Sequence, residues 1–124
     1  MEVKQIYDNL IQILRLIAST PNVQIASFPQ FVNVADEIAL SYNDIYLLVP
    51  LLKKEGLISP VVYGILTQMD ELFDIMSQNK SIWNVDALEN DKYWQKSRFL
   101  ALSILKELNE SYDKPNLGFV NWIT

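Results

Sequence analysis

The spacing of hydrophobic residues along the chain is helical. In residues 2–19, apolar side chains recur every three or four positions, as they do on one face of an amphipathic helix: Val3, Ile6, Leu10, Ile13, Leu14 and Ile17. A second stripe runs through Ala35, Ile38, Tyr42, Ile45, Val49 and Leu52. The third is Val62, Ile65, Leu66, Met69, Leu72, Phe73 and Met76, and the fourth, from about residue 91 to 112, is Trp94, Ala101, Leu102, Leu105, Leu108 and Tyr112.

Residues with strong positional preferences mark the ends of these helices. Pro21 ends the first, and Asn33 is a good N-cap for the second. Gly56 stands where a helix C′ glycine belongs, and Ser59-Pro60 combines a capping hydroxyl with proline at the first helical position. Pro50 falls inside the second stripe, so it either kinks that helix or splits it near Leu48.

These elements predict an all-α, single-domain bundle (residues 1–124) of four long helices plus short turns. Residues 21–32 read as a loop or short turn, and residues 77–90 as a polar connection in which Asp86 caps a single turn. The last helix has two apolar edges and is expected to be central. The apolar tail is expected to fold back onto the bundle: Leu117, Gly118, Phe119, Val120, Trp122 and Ile123.

The composition of the chain excludes most of the common types of catalytic site. The chain has no histidine, no cysteine and only three glycines, and it contains no P-loop, GxGxxG or GxSxG motif. Glu71-x-x-Asp74 matches half of the paired carboxylate motif of helical nucleotide pyrophosphohydrolases, but Leu40 stands three residues after Glu37, where the other half needs an acid. We therefore predict a protein without enzymatic activity, cofactor or metal.

The charge is concentrated in the middle of the chain. The formal net charge is −5, and residues 36–91 hold ten acidic residues against Lys53, Lys54 and Lys80. Such a surface repels nucleic acid and attracts basic partners, although it is equally typical of ordinary solubility. The longest apolar run, Ile45–Leu52, is far shorter than the ~20 residues of a membrane span, and no secretory signal is evident, so we expect a cytoplasmic protein that binds neither membrane nor nucleic acid.

Aromatic residues interleaved with acids resemble the anchors and charges of a protein interface. The candidate partner-binding residues are Asp36, Glu37, Tyr42, Asp44, Asp70, Glu71, Asp74 and Trp83. The alternative is that Tyr42 belongs to the core and the acids only face solvent. Arg98 lies on a face that is otherwise typical of core, and we expect a half-buried guanidinium paired with a carboxylate such as Asp70 or Asp74. The alternative is that Arg98 contacts a partner.

The C-terminal half carries a resemblance to a known class of proteins. The stretch Asp70–Ser77, then Trp83, then Asp91-x-x-Trp94-x-x-x-Arg98-x-x-Ala101, resembles the helical class of bacterial contact-dependent growth inhibition immunity proteins. This resemblance implies a cytoplasmic protein that neutralises the toxin domain of a related effector, with a basic nuclease domain as one example. It transfers no contact residue. The alternative function is a helical adaptor or self-associating module, which could form a homo-oligomer through its apolar tail.

Overall fold

The structure is a computed structural model that describes residues 2–119, and over that range it is all-α, as predicted. Its elements are α1 (Val3–Ala18), α2 (Pro21–Ala26), α3 (Val34–Tyr46), α4 (Val49–Lys54), α5 (Pro60–Ser77), a 3-10 helix (Lys80–Ile82), α6 (Val85–Asn90) and α7 (Lys92–Glu107). Helices α1, α3, α5 and α7 are the four long ones. Within residues 2–119, no helix combines the length and apolarity needed to cross a membrane.

Helix α1 lies at the centre of the bundle, because it packs against α7, α3, α4 and α2. Its buried side chains cover most of its circumference: Ile6, Leu10, Ile11, Ile13, Leu14, Leu16, Ile17 and Ala18. Helix α7, predicted to be central, shares that position and also packs against α5 and α6. Helices α3 and α5 contact each other on one side of the bundle, and this contact forms the walls of the site described below.

The predicted caps are present. The Asn33 side chain accepts a hydrogen bond from the Asp36 N–H (3.1 Å), and the Ser59 hydroxyl accepts one from the Val62 N–H (3.1 Å). Gly56 has φ +76° and follows α4, and the Leu57 N–H donates to the Leu52 carbonyl (2.9 Å). This is the Schellman arrangement that glycine at C′ favours.

Pro50 separates two helices. Its ring would clash with the carbonyl of the residue four positions earlier, Tyr46, and it has no N–H to donate there. Accordingly, α3 ends at Tyr46 and α4 begins at Val49, with Pro50 in the first turn of the new helix, where the missing donor is not needed.

Residues 21–32, predicted as a loop or short turn, contain α2. Pro21 ends α1 and also opens α2. Within α2, the side chain of Gln24 is fully buried, and its Nε2 donates to the carbonyls of Leu16 (3.3 Å) and Ile17 (3.0 Å). The carbonyls at the end of α1, which lack partners within their own helix, are satisfied in this way.

The connection between α5 and α7 is also helical. The N-cap of α6 is Asn84, whose side chain accepts a hydrogen bond from the Ala87 N–H (2.9 Å). Asp86 lies in the first turn of that helix. The prediction that Asp86 is the cap is therefore wrong. Asn84 leaves Asp86 near the positive end of the helix dipole, where an acid is also favourable.

Helix α7 ends at Glu107, five residues before the predicted end at Tyr112. Asn109 adopts φ +57°, and the Glu110 N–H donates to the Leu105 carbonyl (2.9 Å), so asparagine takes the C′ position here. The chain then runs back along α1. Arg15 donates to the Ser111 carbonyl (3.1 Å), and the Tyr112 hydroxyl donates to Ser19 Oγ (2.9 Å).

The predicted return of the tail is confirmed where it is described. The Asn116 N–H donates to Gln12 Oε1 (2.8 Å), and Leu117 packs against the core. Phe119 is 40% exposed. Val120, Trp122 and Ile123 lie outside the described residues.

Candidate functional site

An open cleft of about 950 Å³ lies between α3 and α5. The two helices contribute residues with the same spacing, i, i+3, i+4 and i+7, so each wall is one helix face. From α3 the wall is Asp36, Ala39, Leu40 and Asn43, and from α5 it is Asp70, Phe73, Asp74 and Ser77. Asn33, Tyr42, Lys80 and Trp83 complete the lining, and we refer to this site as the acidic cleft.

The floor of the acidic cleft is aromatic: Tyr42, Phe73 and Trp83 line the cleft, and Trp94 is fully buried in contact with two of them. Tyr42, Phe73, Trp94 and Trp83 form a continuous chain of ring contacts with centroids 5.5–5.8 Å apart. The Tyr42 hydroxyl donates to the Leu66 carbonyl (2.5 Å), and the Trp94 indole N–H donates to the Ile82 carbonyl (2.7 Å). Because each buried polar group is satisfied, the rings have fixed positions.

Trp83 ties two sides of the cleft together. It follows the 3-10 helix, and its indole N–H donates to Asp36 Oδ1 in the first turn of α3. One side of its half-buried ring contacts Trp94. This side chain is therefore held at the cleft by a polar and an aromatic contact.

The carboxylates of the cleft form no ion pair with a cationic side chain among the described residues. Asp36, Asp70 and Asp74 form no ion pair within residues 2–119, where the ion pairs present are those of Arg15 with Glu110 and Asp113. Lys80 lines the same cleft but is not paired with any of the three. Three acids and one lysine leave the lining with a formal charge of −2.

Asp70 lies beside two other acidic residues of α5, Glu71 and Asp74. Its pKa is raised, first by burial and then by the negative charges of Asp74 and Glu71. An acid whose pKa is higher in the folded state stabilises the fold at low pH and loses that contribution as pH rises through the folded pKa. Ionised Asp70 therefore opposes folding at neutral pH.

We expect Asp70→Asn to raise the free energy of unfolding at pH 7 by about 0.5 kcal/mol, the size of a like-charge pair one turn apart on a helix. The gain should vanish near pH 3, where the aspartate itself is protonated. Urea unfolding at both pH values measures it, with Asp44→Asn as the control outside the cleft. A variant that is less stable at pH 7 than the parent protein would contradict this account of Asp70.

Five of the eight predicted partner-binding residues meet in the acidic cleft: Asp36, Tyr42, Asp70, Asp74 and Trp83. Glu37, Asp44 and Glu71 do not line it, because they lie on other faces of α3 and α5. Tyr42 is 1% exposed and belongs to the core, as the alternative interpretation predicts, so it contributes a buried ring to the floor of the cleft.

Several residues of the cleft were not anticipated. Phe73 appears in the sequence only as a member of an apolar stripe, and Leu40 and Asn43 had no assigned role. The usable signal is the repeated spacing at positions 36, 39, 40 and 43 and at 70, 73, 74 and 77. The pairing of these two faces depends on α3 packing beside α5, which the stripes alone do not specify.

Arg98 does not pair with Asp70 or Asp74, so that prediction is wrong. Its Nη1 donates to the Leu88 carbonyl (2.7 Å) in the last turn of α6, where a cation also complements the helix dipole. Burial lowers the pKa of Arg98. With Arg98 engaged on α6, the acids on α5 keep their charge uncompensated.

The chemistry of the acidic cleft suits binding of a cationic group. It combines the half-buried ring of Trp83, whose face can attract a cation, with the carboxylates of Asp70 and Asp74, which form no ion pair within residues 2–119. Across residues 2–119, no group of three or more acidic side chains is arranged to hold a metal ion.

Comparisons with known protein families, with characterised proteins and with solved structures found no match to this chain.

Proposed function

We propose that this protein binds a basic protein partner through the acidic cleft, and that the partner is a toxin domain which it neutralises. The observation that carries the proposal is that three carboxylates beside a rigid aromatic floor form no ion pair within residues 2–119. Folding alone does not need this arrangement, since like charges on one surface oppose it. A positively charged partner relieves the repulsion.

The composition of the cleft favours a protein as the partner. Interface hot spots combine aromatic anchors with charged groups at a partly desolvated centre. Here Trp83 supplies the anchor, Asp70 and Asp74 the charges, and Leu40, which is 55% exposed, an apolar rim. The negative lining disfavours nucleic acid, whose phosphates it would repel.

The resemblance of residues 70–101 to contact-dependent growth inhibition immunity proteins gives the partner a biological role. An immunity protein acts in the cytoplasm on the toxin domain of a related effector. A nuclease domain suits an acidic inhibitor, because a site that grips phosphate is positively charged and an acidic surface mimics its substrate.

The test is binding to the C-terminal domain of a large secreted effector encoded by a neighbouring gene. We expect a one-to-one complex that abolishes the activity of that domain and weakens as salt rises from 50 to 500 mM, because exposed charges are screened. Isothermal titration calorimetry at several salt concentrations, together with a toxicity assay, measures both properties. Absence of binding at low salt overturns the proposal, and binding that leaves the toxin active overturns neutralisation.

A further inference from the structure

The position of Trp83 gives the acidic cleft a defined recognition surface. Its indole N–H donates to Asp36, and its ring contacts the Trp94 ring with centroids 5.6 Å apart. The ring is half-buried and lines the cleft, so part of it remains accessible. A ring held in this way can receive a flat cationic group without losing side-chain freedom on binding.

The carboxylates that line the same cleft suit a donor with several N–H groups. Asp70 and Asp74 are one turn apart on α5, which places their Cβ atoms about 6 Å from each other. A guanidinium has five N–H donors in a planar fork and can bond more than one carboxylate oxygen at once, whereas an ammonium acts as a compact point charge. Stacking on an aromatic face is likewise a property of the guanidinium.

From these features we infer that the acidic cleft is a receptor for one arginine side chain of the partner, with the guanidinium against Trp83 and paired with Asp70 and Asp74. This inference rests on the proposed function and names the group recognised there. The apolar edge formed by Ala39 and Leu40 receives the methylene stem of the arginine. The volume of about 950 Å³ exceeds that of one side chain, which leaves room for the residues flanking it.

Lys80 provides an internal check on the charge argument. It is exposed and lines the same cleft as the carboxylates, and it forms no ion pair with them. As a fixed positive charge it opposes a second cation. Its removal should therefore strengthen binding of arginine.

The direct test uses three small probes at equal ionic strength: N-acetyl-arginine amide, N-acetyl-lysine amide and N-acetyl-citrulline amide. Citrulline keeps the shape of arginine but carries no charge. Titration is followed by the indole N–H resonance of Trp83, assigned with Trp83→Phe. We expect saturable shifts with arginine at roughly millimolar concentration, binding at least about threefold weaker with lysine, and none with citrulline.

The variants separate this site from general attraction to an acidic protein. Asp70→Asn and Asp74→Asn should each weaken arginine binding about fivefold, and Lys80→Ala should strengthen it about twofold. Glu71→Gln is the matched control, because it removes the same charge from the same helix outside the cleft. It should change binding by less than about twofold.

Equal binding of arginine and citrulline, equal binding of arginine and lysine, or an equal effect of Glu71→Gln and Asp70→Asn would overturn the inference. The proposed function and the arginine site can be contradicted independently of each other. If the toxin domain binds and is neutralised but the arginine probe does not shift Trp83, the arginine site is wrong and the function stands. If arginine binds selectively but no toxin domain does, the proposed function is wrong and the site stands.

Discussion

Replacing Trp94 with alanine is expected to lower the free energy of unfolding by about 4 kcal/mol. The Trp94 side chain is fully buried and contacts Phe73 and Trp83 through its ring. Its truncation leaves a large cavity and also leaves the Ile82 carbonyl without its hydrogen-bond donor. Domains of this size are stable by only about 5–15 kcal/mol, so this single change removes a large part of the total.

A second variant separates the contribution of the Trp94 hydrogen bond to stability from that of its aromatic ring. Trp94→Phe keeps an aromatic ring and loses the hydrogen bond to Ile82, so about 2 kcal/mol is expected. Phe99→Ala on the same helix is the control, because Phe99 is 67% exposed and should change stability by less than about 0.5 kcal/mol. Urea unfolding, with the slope compared between variants, measures all three. Similar losses of unfolding free energy for Trp94→Ala and Phe99→Ala would show that the burial of Trp94 does not contribute more to stability than an exposed aromatic residue does.

Local rules predicted much of the fold. The apolar stripes give the four long helices, and Asn33, Gly56 and Ser59 mark ends that the structure confirms. These features are predictable because caps and stripes depend on residues within a few positions of one another. At Pro50, a kink and a split would leave the same apolar stripe, so the stripe does not distinguish them. The structure shows the split.

Other features depend on contacts that local rules do not contain. The apolar pattern of the last helix extends to Tyr112, beyond the end of α7. Tyr112 is placed by its hydrogen bond to Ser19, the C-cap residue of α1, and not by helical geometry. Arg98 donates to a backbone carbonyl at the end of α6, an acceptor that the sequence pattern does not identify. The acidic cleft needs α3 beside α5, so the sequence supplied five of its residues without their common location.

Reversing the charge at Asp74 is expected to slow association with the basic partner by about 10- to 100-fold at low salt. This prediction rests on the proposed function. Asp74→Lys removes one carboxylate from the cleft and places an ammonium one turn from Asp70, where it can neutralise a second. The variant therefore loses both the electrostatic steering of the basic partner toward the cleft and the ion pairing of the partner within it.

Asp44→Lys is the matched control, because both replacements change the formal net charge of −5 by the same two units, to −3. Asp44 is exposed on α3 but does not line the cleft, so its reversal should slow association by less than about threefold. Stopped-flow kinetics at 50 mM and 300 mM salt distinguish a local from a global effect of charge. Equal slowing by the two variants would mean that the partner responds to the acidity of the whole protein. A much larger effect at Asp74 would locate the encounter at the acidic cleft, since the two variants differ in the position of the introduced charge and not in its amount.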